Sequence, residues 1–267
     1  MKTRIDQCLE RLRKTRRKAF IAYITAGDPG MAETVDSVVQ LAGAGADIVE
    51  LGVPFSDPLA DGRVNQDAAT RALAAGATWG RLLKCIEQIR RKSPIPLILY
   101  SYLNPLISRG FEKTARQATA AGADGFLIVD LPAEEMEPYS RILGRVGLNN
   151  ICLVTPTSPS ARIRKIAGLA SGFVYCVSRE GVTGMQKQLA SSALGLIRRT
   201  RRWTRLPIAL GFGISTPEQA RAAAREADVV VVGSAIVNRF AAAPKTAAGR
   251  KAAAQWTARL VRAVKEV

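Results

Sequence analysis

Short, continuous apolar runs recur along the chain, and their repetition constrains its fold more than any other feature. Apolar residues that do not alternate with polar ones indicate strands buried on both faces, as in a parallel sheet. Most runs are followed by Gly, Pro, Ser or Asp and then by an amphipathic segment. The predicted strands are residues 19–25, 48–51, 96–102, 125–130, 151–155, 172–177, 208–211 and 229–232.

Amphipathic segments between these strands predict helices, for example at residues 34–42, 79–90, 113–121, 160–167, 190–199 and 216–224. About eight β/α units in 267 residues predict the α/β class and a (β/α)8 TIM barrel. We expect one barrel domain over residues 1–267. A doubly wound open sheet is the alternative, but no G-x-G-x-x-G follows the first strand and no change of composition divides the chain.

Both ends of the chain predict further helices. Residues 1–18 are basic but include Asp6 and Glu10 and lack an apolar core segment, which favours a short extra N-terminal helix over a cleaved signal peptide. The Ala-rich tail, residues 241–267, has large apolar residues at helical spacing and predicts a closing helix.

The similar segments 43–47 and 121–124 indicate repeated helix-to-strand junctions with a stabilising role.

Cysteine spacing and charge limit the possible functions. Cys8, Cys85, Cys152 and Cys176 form no C-x-x-C pair, and the chain has no His, so a zinc centre has little support. Buried reduced thiols are the better interpretation, and they suggest a cytoplasmic protein. No apolar stretch approaches the ~20 residues of a membrane span.

The chain is strongly basic, with 39 Lys and Arg against 22 Asp and Glu and a formal charge of +17. The basic residues are dispersed and aromatic residues make up only 6%, which favours a solvated basic surface over a nucleic-acid interface. The Arg-rich segment 198–202 is the one place where a basic patch is expected. A positive field would also favour a phosphorylated substrate.

Two carboxylates follow the second predicted strand. Glu50 stands at its end and Asp61 lies in the Pro- and Gly-punctuated loop behind it, where a barrel enzyme carries its active site. Without His, acid–base chemistry must use carboxylates, Tyr, Lys or Cys. The chain lacks the imidazole ligands of a metal-dependent aldolase and the strand-end lysine of a Schiff-base aldolase. Carbon–carbon cleavage here would therefore depend on proton transfer.

Glycine-rich turns follow the last three predicted strands. Backbone N–H groups of Gly184, Gly213, Gly233 and Ser234 could converge on a phosphate, assisted by a helix dipole. Each glycine alone is better explained as a tight-turn residue, but their coincidence after consecutive late strands favours a phosphate site. Residue by residue, the sequence predicts a phosphate-binding barrel with candidate carboxylates.

Residues 50–62, Glu-Leu-Gly-Val-Pro-Phe-Ser-Asp-Pro-Leu-Ala-Asp-Gly, resemble the signature of the tryptophan synthase alpha subunit family. The resemblance covers nearly the whole chain through similar motifs at residues 25–29, 102–105, 130–132, 178–184, 211–215 and 233–237. It implies a lyase of tryptophan biosynthesis that cleaves indole-3-glycerol phosphate to indole and D-glyceraldehyde 3-phosphate. It also implies an α2β2 heterotetramer in which the beta subunit receives the indole and holds pyridoxal phosphate, so this chain needs no cofactor.

The resemblance also implies residue roles. Glu50 would protonate indole C3 and accept the glycerol hydroxyl proton, with a pKa raised by burial, while Asp61 would accept a hydrogen bond from the ring N–H. Asp57 and Pro58 would face the beta subunit, and Thr183 would bond Asp61 when the site closes. The implied substrate-binding residues are Tyr23, Tyr100, Tyr102, Leu127, Val129, Leu153, Tyr175, Thr183, Gly184, Phe212, Gly213, Gly233 and Ser234.

Two residues depart from the family pattern close to Asp61. Arg63 replaces the usual proline and Asn65 a common aliphatic residue, which puts the rigidity and closure of this loop in question.

Two other functions remain open. One is a stand-alone lyase that releases free indole. The other is a scaffold that activates a partner or binds nucleic acid through its basic surface, against which the intact Glu50, Asp61 and Thr183 argue.

Overall fold

Eight parallel strands close into a barrel in the computed structural model, which describes residues 2–177, 191–211 and 213–267. Each strand pairs with the next along the chain, and the last pairs with the first. The predicted (β/α)8 fold is confirmed. The strands are β1 (Ala19–Thr25), β2 (Ile48–Gly52), β3 (Leu97–Ser101), β4 (Gly125–Ile128), β5 (Asn149–Val154), β6 (Val174–Val177), β7 (Ile208–Gly211) and β8 (Val229–Val232).

Helices alternate with the strands and surround the barrel. The predicted N-terminal and closing helices are confirmed as α1 and α12, and two helices, α3 and α4, connect β2 to β3. The described helices are α1 (Arg4–Lys14), α2 (Met31–Gly43), α3 (Arg63–Ala74), α4 (Trp79–Lys92), α5 (Leu103–Ile107), α6 (Phe111–Ala121), α7 (Met136–Arg145), α8 (Ser160–Leu169), α9 (Ser191–Arg201), α10 (Pro217–Glu226), α11 (Ser234–Ala242) and α12 (Ala247–Lys265). No helix in these ranges is both long and apolar enough to cross a membrane.

Alternate residues of each strand point to opposite faces of the sheet, so the barrel has two cores. Outward residues such as Val49 and Leu51 pack against the surrounding helices. Inward residues such as Ile21 and Ile48 form a second cluster that includes Ile5 and Leu9 of α1. Helix α1 therefore closes the N-terminal end of the barrel, which leaves the C-terminal end for a site.

Three aspartates at the N-terminal end, Asp47, Asp124 and Asp228, fix neighbouring strands to one another. Each precedes a strand and accepts a hydrogen bond from the backbone N–H of the strand before it, over 2.7 Å from residue 20, 2.8 Å from residue 97 and 2.9 Å from residue 208. Each also pairs with a cation, as Asp124 does with Arg90 at 2.7 Å between Oδ2 and Nη2. At Asp47 and Asp124 these contacts are consistent with the predicted stabilising role of segments 43–47 and 121–124, and Asp228 adds a third such junction.

The four cysteines are free thiols, and all four are buried, as the sequence predicts. Burial raises the pKa of the Cys85 and Cys152 thiols to about 12. These thiols are therefore protonated at neutral pH and pack as small apolar side chains.

Candidate active site

Glu50 lies inside the barrel as the third of the five residues of β2, not at the end of the strand as predicted, because β2 continues to Gly52. Its backbone is in register with Tyr23 of β1 and Ile98 of β3, and the residue is only 1% exposed. Its Oε1 atom is buried without a hydrogen-bond partner among the described residues. Burial raises the pKa of the carboxyl to about 8, which confirms the predicted direction. Glu50 is therefore a protonated acid at neutral pH, with an oxygen free to bind something else.

Asp61 is held by two tyrosines of the neighbouring β3 segment. The Tyr100 hydroxyl donates to Oδ1 over 3.0 Å, and the Tyr102 hydroxyl donates to Oδ2 over 2.9 Å. Burial raises the pKa of Asp61, while the hydrogen bonds from Tyr102 and Tyr100 oppose that rise because they stabilise the carboxylate. Asp61 also lies one residue before the N-cap of α3, where the helix dipole favours a negative charge.

The loop that carries Asp61 is fixed by further hydrogen bonds. The backbone N–H of Ala60 donates to the Tyr102 hydroxyl over 2.9 Å, and the Gln66 side-chain amide donates to the Asp61 carbonyl over 2.9 Å. Arg71 of α3 makes two bonds, of 2.9 and 2.7 Å, to the carboxylate of Asp28 after β1. The end of the loop that leads into α3 is thereby fixed, and α3 itself is tied to the segment after β1.

The two departures from the family pattern face different surroundings. The Arg63 side chain is 85% exposed and pairs with Asp67 of the same helix at 2.9 Å. The Asn65 amide nitrogen lies 3.5 Å from Asp61 Oδ1, at the long limit of a hydrogen bond. Arg63 therefore replaces proline at a solvated position, whereas Asn65 adds a polar group beside the carboxylate.

A cavity of about 320 Å³ joins the two carboxylates, a size within the range of ligand pockets. The rings of Tyr23 and Tyr100 meet edge to face with centroids 5.2 Å apart. Gly52 and Gly211 leave room for the phenols, because a Cβ at either position would collide with the hydroxyl of Tyr23 or of Tyr175. The walls are Tyr23, Glu50, Ala60, Asp61, Gly62, Arg63, Val64, Asn65, Tyr100, Tyr175, Gly213, Ile214, Val231, Gly233 and Ser234.

The glycine loops after β7 and β8 lie at the same cavity. Gly213, Gly233 and Ser234 line it, as the phosphate hypothesis requires. Gly233 is the N-cap of α11, which begins at Ser234, so the first N–H groups of that helix lie at the cavity wall. This is the geometry in which helix N-termini bind anions.

The remaining predicted contacts fall into three groups. Leu127, Val129 and Leu153 belong to the interior of the barrel and pack in one cluster with Tyr100 and Tyr175, outside the described cavity walls. Tyr102 is 4% exposed and reaches Asp61 rather than the cavity wall. Three predicted residues lie outside the described residues: Thr183, Gly184 and Phe212.

The sequence analysis missed several wall residues, among them Val64, Ile214 and Val231. A signal existed for Val231, since it is two residues from the inward-facing Val229 and therefore on the same face of β8. Val64 is the second residue of α3, a helix that was not predicted, and Ile214 lies between β7 and α10, where no periodicity predicts direction. No group of three or more Cys, Asp or Glu residues in the described ranges is placed to bind a metal ion.

The fold and the cavity define a class: (β/α)8 barrels with acid–base groups and a helix N-terminus at the C-terminal end of the strands. Within that class, the chain belongs to the tryptophan synthase alpha chain family, whose sequence model matches residues 9–266.

Individual relatives agree with this assignment. The tryptophan synthase alpha chain of Geotalea daltonii is 48% identical over 237 residues, 89% of this chain and 90% of the relative. That of Geobacter sulfurreducens is 46% identical over 251 residues, 94% and 95% of the two chains.

Solved structures have the same fold. Tryptophan synthase subunit alpha from Legionella pneumophila superposes with a TM-score of 0.91 at 37% identity, covering 100% of both chains. A chain from the tryptophan synthase a2b2 complex of Pyrococcus furiosus superposes with a TM-score of 0.84 at 34% identity, covering 94% of this chain and 99% of that one.

Proposed function

We propose that this chain is the alpha subunit of a tryptophan synthase and a lyase that cleaves indole-3-glycerol phosphate to indole and D-glyceraldehyde 3-phosphate. One observation carries the proposal: a buried, protonated Glu50 and a tyrosine-bound Asp61 line the same cavity. The two carboxyl groups are in different environments, which suits them to opposite roles in proton transfer.

Glu50 acts as the proton donor in the first step. With a pKa near 8, its carboxyl holds a proton at neutral pH and can pass it to C3 of the indole ring. The ring then carries a positive charge, centred on the nitrogen, and the bond from C3 to the glycerol chain is weakened. The Oε1 atom of Glu50, which has no hydrogen-bond partner among the residues that the structure describes, is the natural contact for the substrate.

Asp61 stabilises the charge that develops on the ring nitrogen. The hydrogen bonds from Tyr100 and Tyr102 stabilise its carboxylate form, which accepts a hydrogen bond from the ring N–H. A negative charge fixed before the reaction stabilises the cationic intermediate without reorganisation.

Carbon–carbon cleavage completes the reaction. The Glu50 carboxylate accepts the proton of the adjacent glycerol hydroxyl, that oxygen becomes the aldehyde carbonyl, and the electrons of the broken bond return to the indole ring. Glu50 ends the cycle protonated by the hydroxyl proton, while the proton that it gave remains on C3 of the product indole, so the cycle needs no oxidant, reductant or metal. The phosphate of the substrate binds at Gly213, Gly233 and Ser234, where α11 begins.

We also propose that a beta subunit binds beside the loop between β2 and α3. Leu59 in this loop is 91% exposed, and Asp57 next to it is also exposed. An adjoining groove of about 340 Å³ is lined by apolar side chains that include Phe55 and Trp79. Exposed apolar surface of this kind is typical of protein interfaces, and the relative from Pyrococcus furiosus comes from an a2b2 complex. Because this loop also holds Asp61, the partner would act on the carboxylate through it.

An indole-release assay on purified Glu50→Gln protein tests the reaction. We expect a loss of ~10²–10⁴ in kcat, because the amide can neither donate nor accept the transferred proton. Glu87→Gln is the matched control, since Glu87 is exposed on α4 and far from the cavity lining. Unchanged turnover in Glu50→Gln would contradict the mechanism.

The same assay with and without a beta subunit separates the alternatives. Stimulation by the beta subunit supports the α2β2 enzyme, while full activity of the chain alone indicates a stand-alone lyase. Substrate binding without indole release, even beside a competent beta subunit, would favour a scaffold.

A further inference from the structure

A second cavity of about 340 Å³ lies at the opposite end of the barrel from Glu50, and we call it the basal cavity. It opens between the end of α1, the segment that leads into β1 and the connection from α9 to β7. Its lining residues are Leu9, Leu12, Arg13, Arg16, Arg17, Lys18, Ala19, Arg201, Arg205, Leu206, Pro207 and Asp228. The reaction proposed above uses none of them.

The basal cavity is strongly positive, since six cations and a single carboxylate line it. The carboxylate, Asp228, is already bound by the backbone N–H of residue 208 at 2.9 Å and by Arg201 at 3.1 Å. The other arginines of the cavity form no salt bridge within residues 2–177, 191–211 and 213–267. A cluster of like charges without counter-charges is unfavourable unless an anion joins it.

Helix dipoles do not account for this cluster. The C-termini of α1 and α9 each carry roughly half a negative charge, which suits the basic residues of their last turns. Arg16, Arg17, Lys18 and Arg205 lie beyond those turns, and the dipole effect falls off within the last turn. The positive charge therefore exceeds what the two helix ends can balance.

The backbone holds the cations that follow α1 in a fixed geometry. Arg16 has a φ of 54°, a left-handed conformation that glycine usually occupies at a helix end. The N–H of Arg16 donates to the Arg13 carbonyl over 3.1 Å, and that of Arg17 donates to the Leu12 carbonyl over 2.9 Å. These bonds turn the chain sharply into β1 and bring consecutive arginines to the rim of the basal cavity.

We propose that the basal cavity binds a small molecule with two or more linked phosphates. The guanidinium groups of Arg13, Arg16, Arg17 and Arg205 can each bind phosphate oxygens through paired N–H donors. Leu206 and Pro207 provide an apolar wall beside them, which suits the base of a nucleoside diphosphate or triphosphate. The volume matches a ligand pocket and is too small for a folded partner.

Calorimetric titration of the full-length protein with ATP, pyrophosphate and AMP tests this proposal. We expect ATP and pyrophosphate to bind at least tenfold more tightly than AMP, because affinity depends on the number of phosphate charges. Tighter binding of ATP than of pyrophosphate identifies a nucleotide ligand, whereas equal binding identifies a polyphosphate group alone. Both results support the site.

The triple variant Arg16→Gln, Arg17→Gln, Arg205→Gln should weaken ATP binding at least tenfold while its indole release stays within about twofold of the unmodified chain. The control variant Lys84→Gln, Lys113→Gln, Lys251→Gln loses the same charge at exposed positions outside the cavity and should retain ATP affinity within about twofold. Equal weakening in both variants would attribute binding to net charge and overturn the proposal. A single-stranded oligonucleotide that binds more tightly than ATP, and is lost with the first variant, would replace it with a nucleic-acid surface.

Discussion

The two ends of the barrel use carboxylates in opposite ways. At the N-terminal end, Asp124 accepts a backbone N–H of β3 at 2.8 Å and pairs with Arg90 at 2.7 Å. At the C-terminal end, Glu50 has a buried oxygen with no hydrogen-bond partner in the described part of the chain, and Asp61 is bound by neutral hydroxyls. Carboxylates whose oxygens are all hydrogen-bonded or ion-paired stabilise the fold. A buried carboxyl with an oxygen that lacks such a partner lowers stability, but that oxygen stays available for chemistry.

This comparison predicts that each end fails in its own way when a carboxylate is removed. A change at the C-terminal end should reduce turnover with little loss of stability. A change at the N-terminal end should reduce stability with little loss of turnover by the molecules that remain folded.

Glu50→Gln should produce the largest effect, the ~10²–10⁴ loss of kcat given above, because no other group lining the cavity has the same proton-transfer role. Its free energy of unfolding at pH 7 should not fall below that of the unmodified chain. Urea unfolding monitored by circular dichroism checks this second expectation. A destabilised Glu50→Gln variant would show that Glu50 serves the fold.

Asp124→Asn should lower the free energy of unfolding by about 3–5 kcal/mol, because the buried Arg90 would lose its counter-charge. Urea unfolding measures the loss, and kcat of the folded fraction should remain within about threefold. Glu112→Gln removes the partner of a surface pair with Arg116 and should cost less than about 1 kcal/mol. Similar losses in the two variants would remove the distinction between buried and exposed pairs.

The stability of the unmodified chain should fall relative to Glu50→Gln as pH rises from 5 to 9. The pKa of Glu50 is about 8 in the folded chain and near 4.5 when unfolded, so between these two pH values mainly the folded state binds the proton. The unfolding free energy of Glu50→Gln minus that of the unmodified chain should grow by at most about 5 kcal/mol and level off above pH 8. A difference that stays constant with pH would show that Glu50 ionises normally.

Tyr102→Phe should reduce kcat/KM by about tenfold or more, because a hydrogen bond to a charged group contributes about 1.5–3 kcal/mol. Its loss lets the pKa of Asp61 rise further, so the acidic limb of the pH–rate profile should move to higher pH. Tyr139→Phe on α7 is the control and should leave the profile unchanged. An unshifted acidic limb in Tyr102→Phe would remove the tyrosine from this role.

Arg63→Ala should have the smallest effect. The pair with Asp67 is solvated, with Arg63 85% exposed, so the free energy of unfolding should change by less than about 0.5 kcal/mol. A large loss of kcat in this variant would show that Arg63 takes part in closing the loop around Asp61. Thermal unfolding and the indole-release assay measure the two quantities.

Much of the fold and part of the site could be predicted from the sequence because their signals are local. Continuous apolar runs predicted eight strands, and chain order placed Glu50 on the second strand and Asp61 in the loop behind it. The helix α3 was not predicted, because its residues form only a weak apolar face of small alanines. The third strand was predicted to include Tyr102, which instead lies just beyond β3 as the N-cap of α5.

The sequence by itself determined the barrel, the strand that carries the acid and the family, since periodicity and motifs are properties of neighbouring residues. Only the tertiary structure decided that Tyr100 and Tyr102 hold Asp61. In the sequence, Asp61 lies 39 residues from Tyr100 and 41 residues from Tyr102. The tertiary structure also decided that Glu50 is buried deeply enough to hold a proton near pH 8, and that the arginines at 13–17 and 201–205 surround one cavity. Burial and long-range contacts set pKa values and charge clusters, and both depend on how distant segments pack.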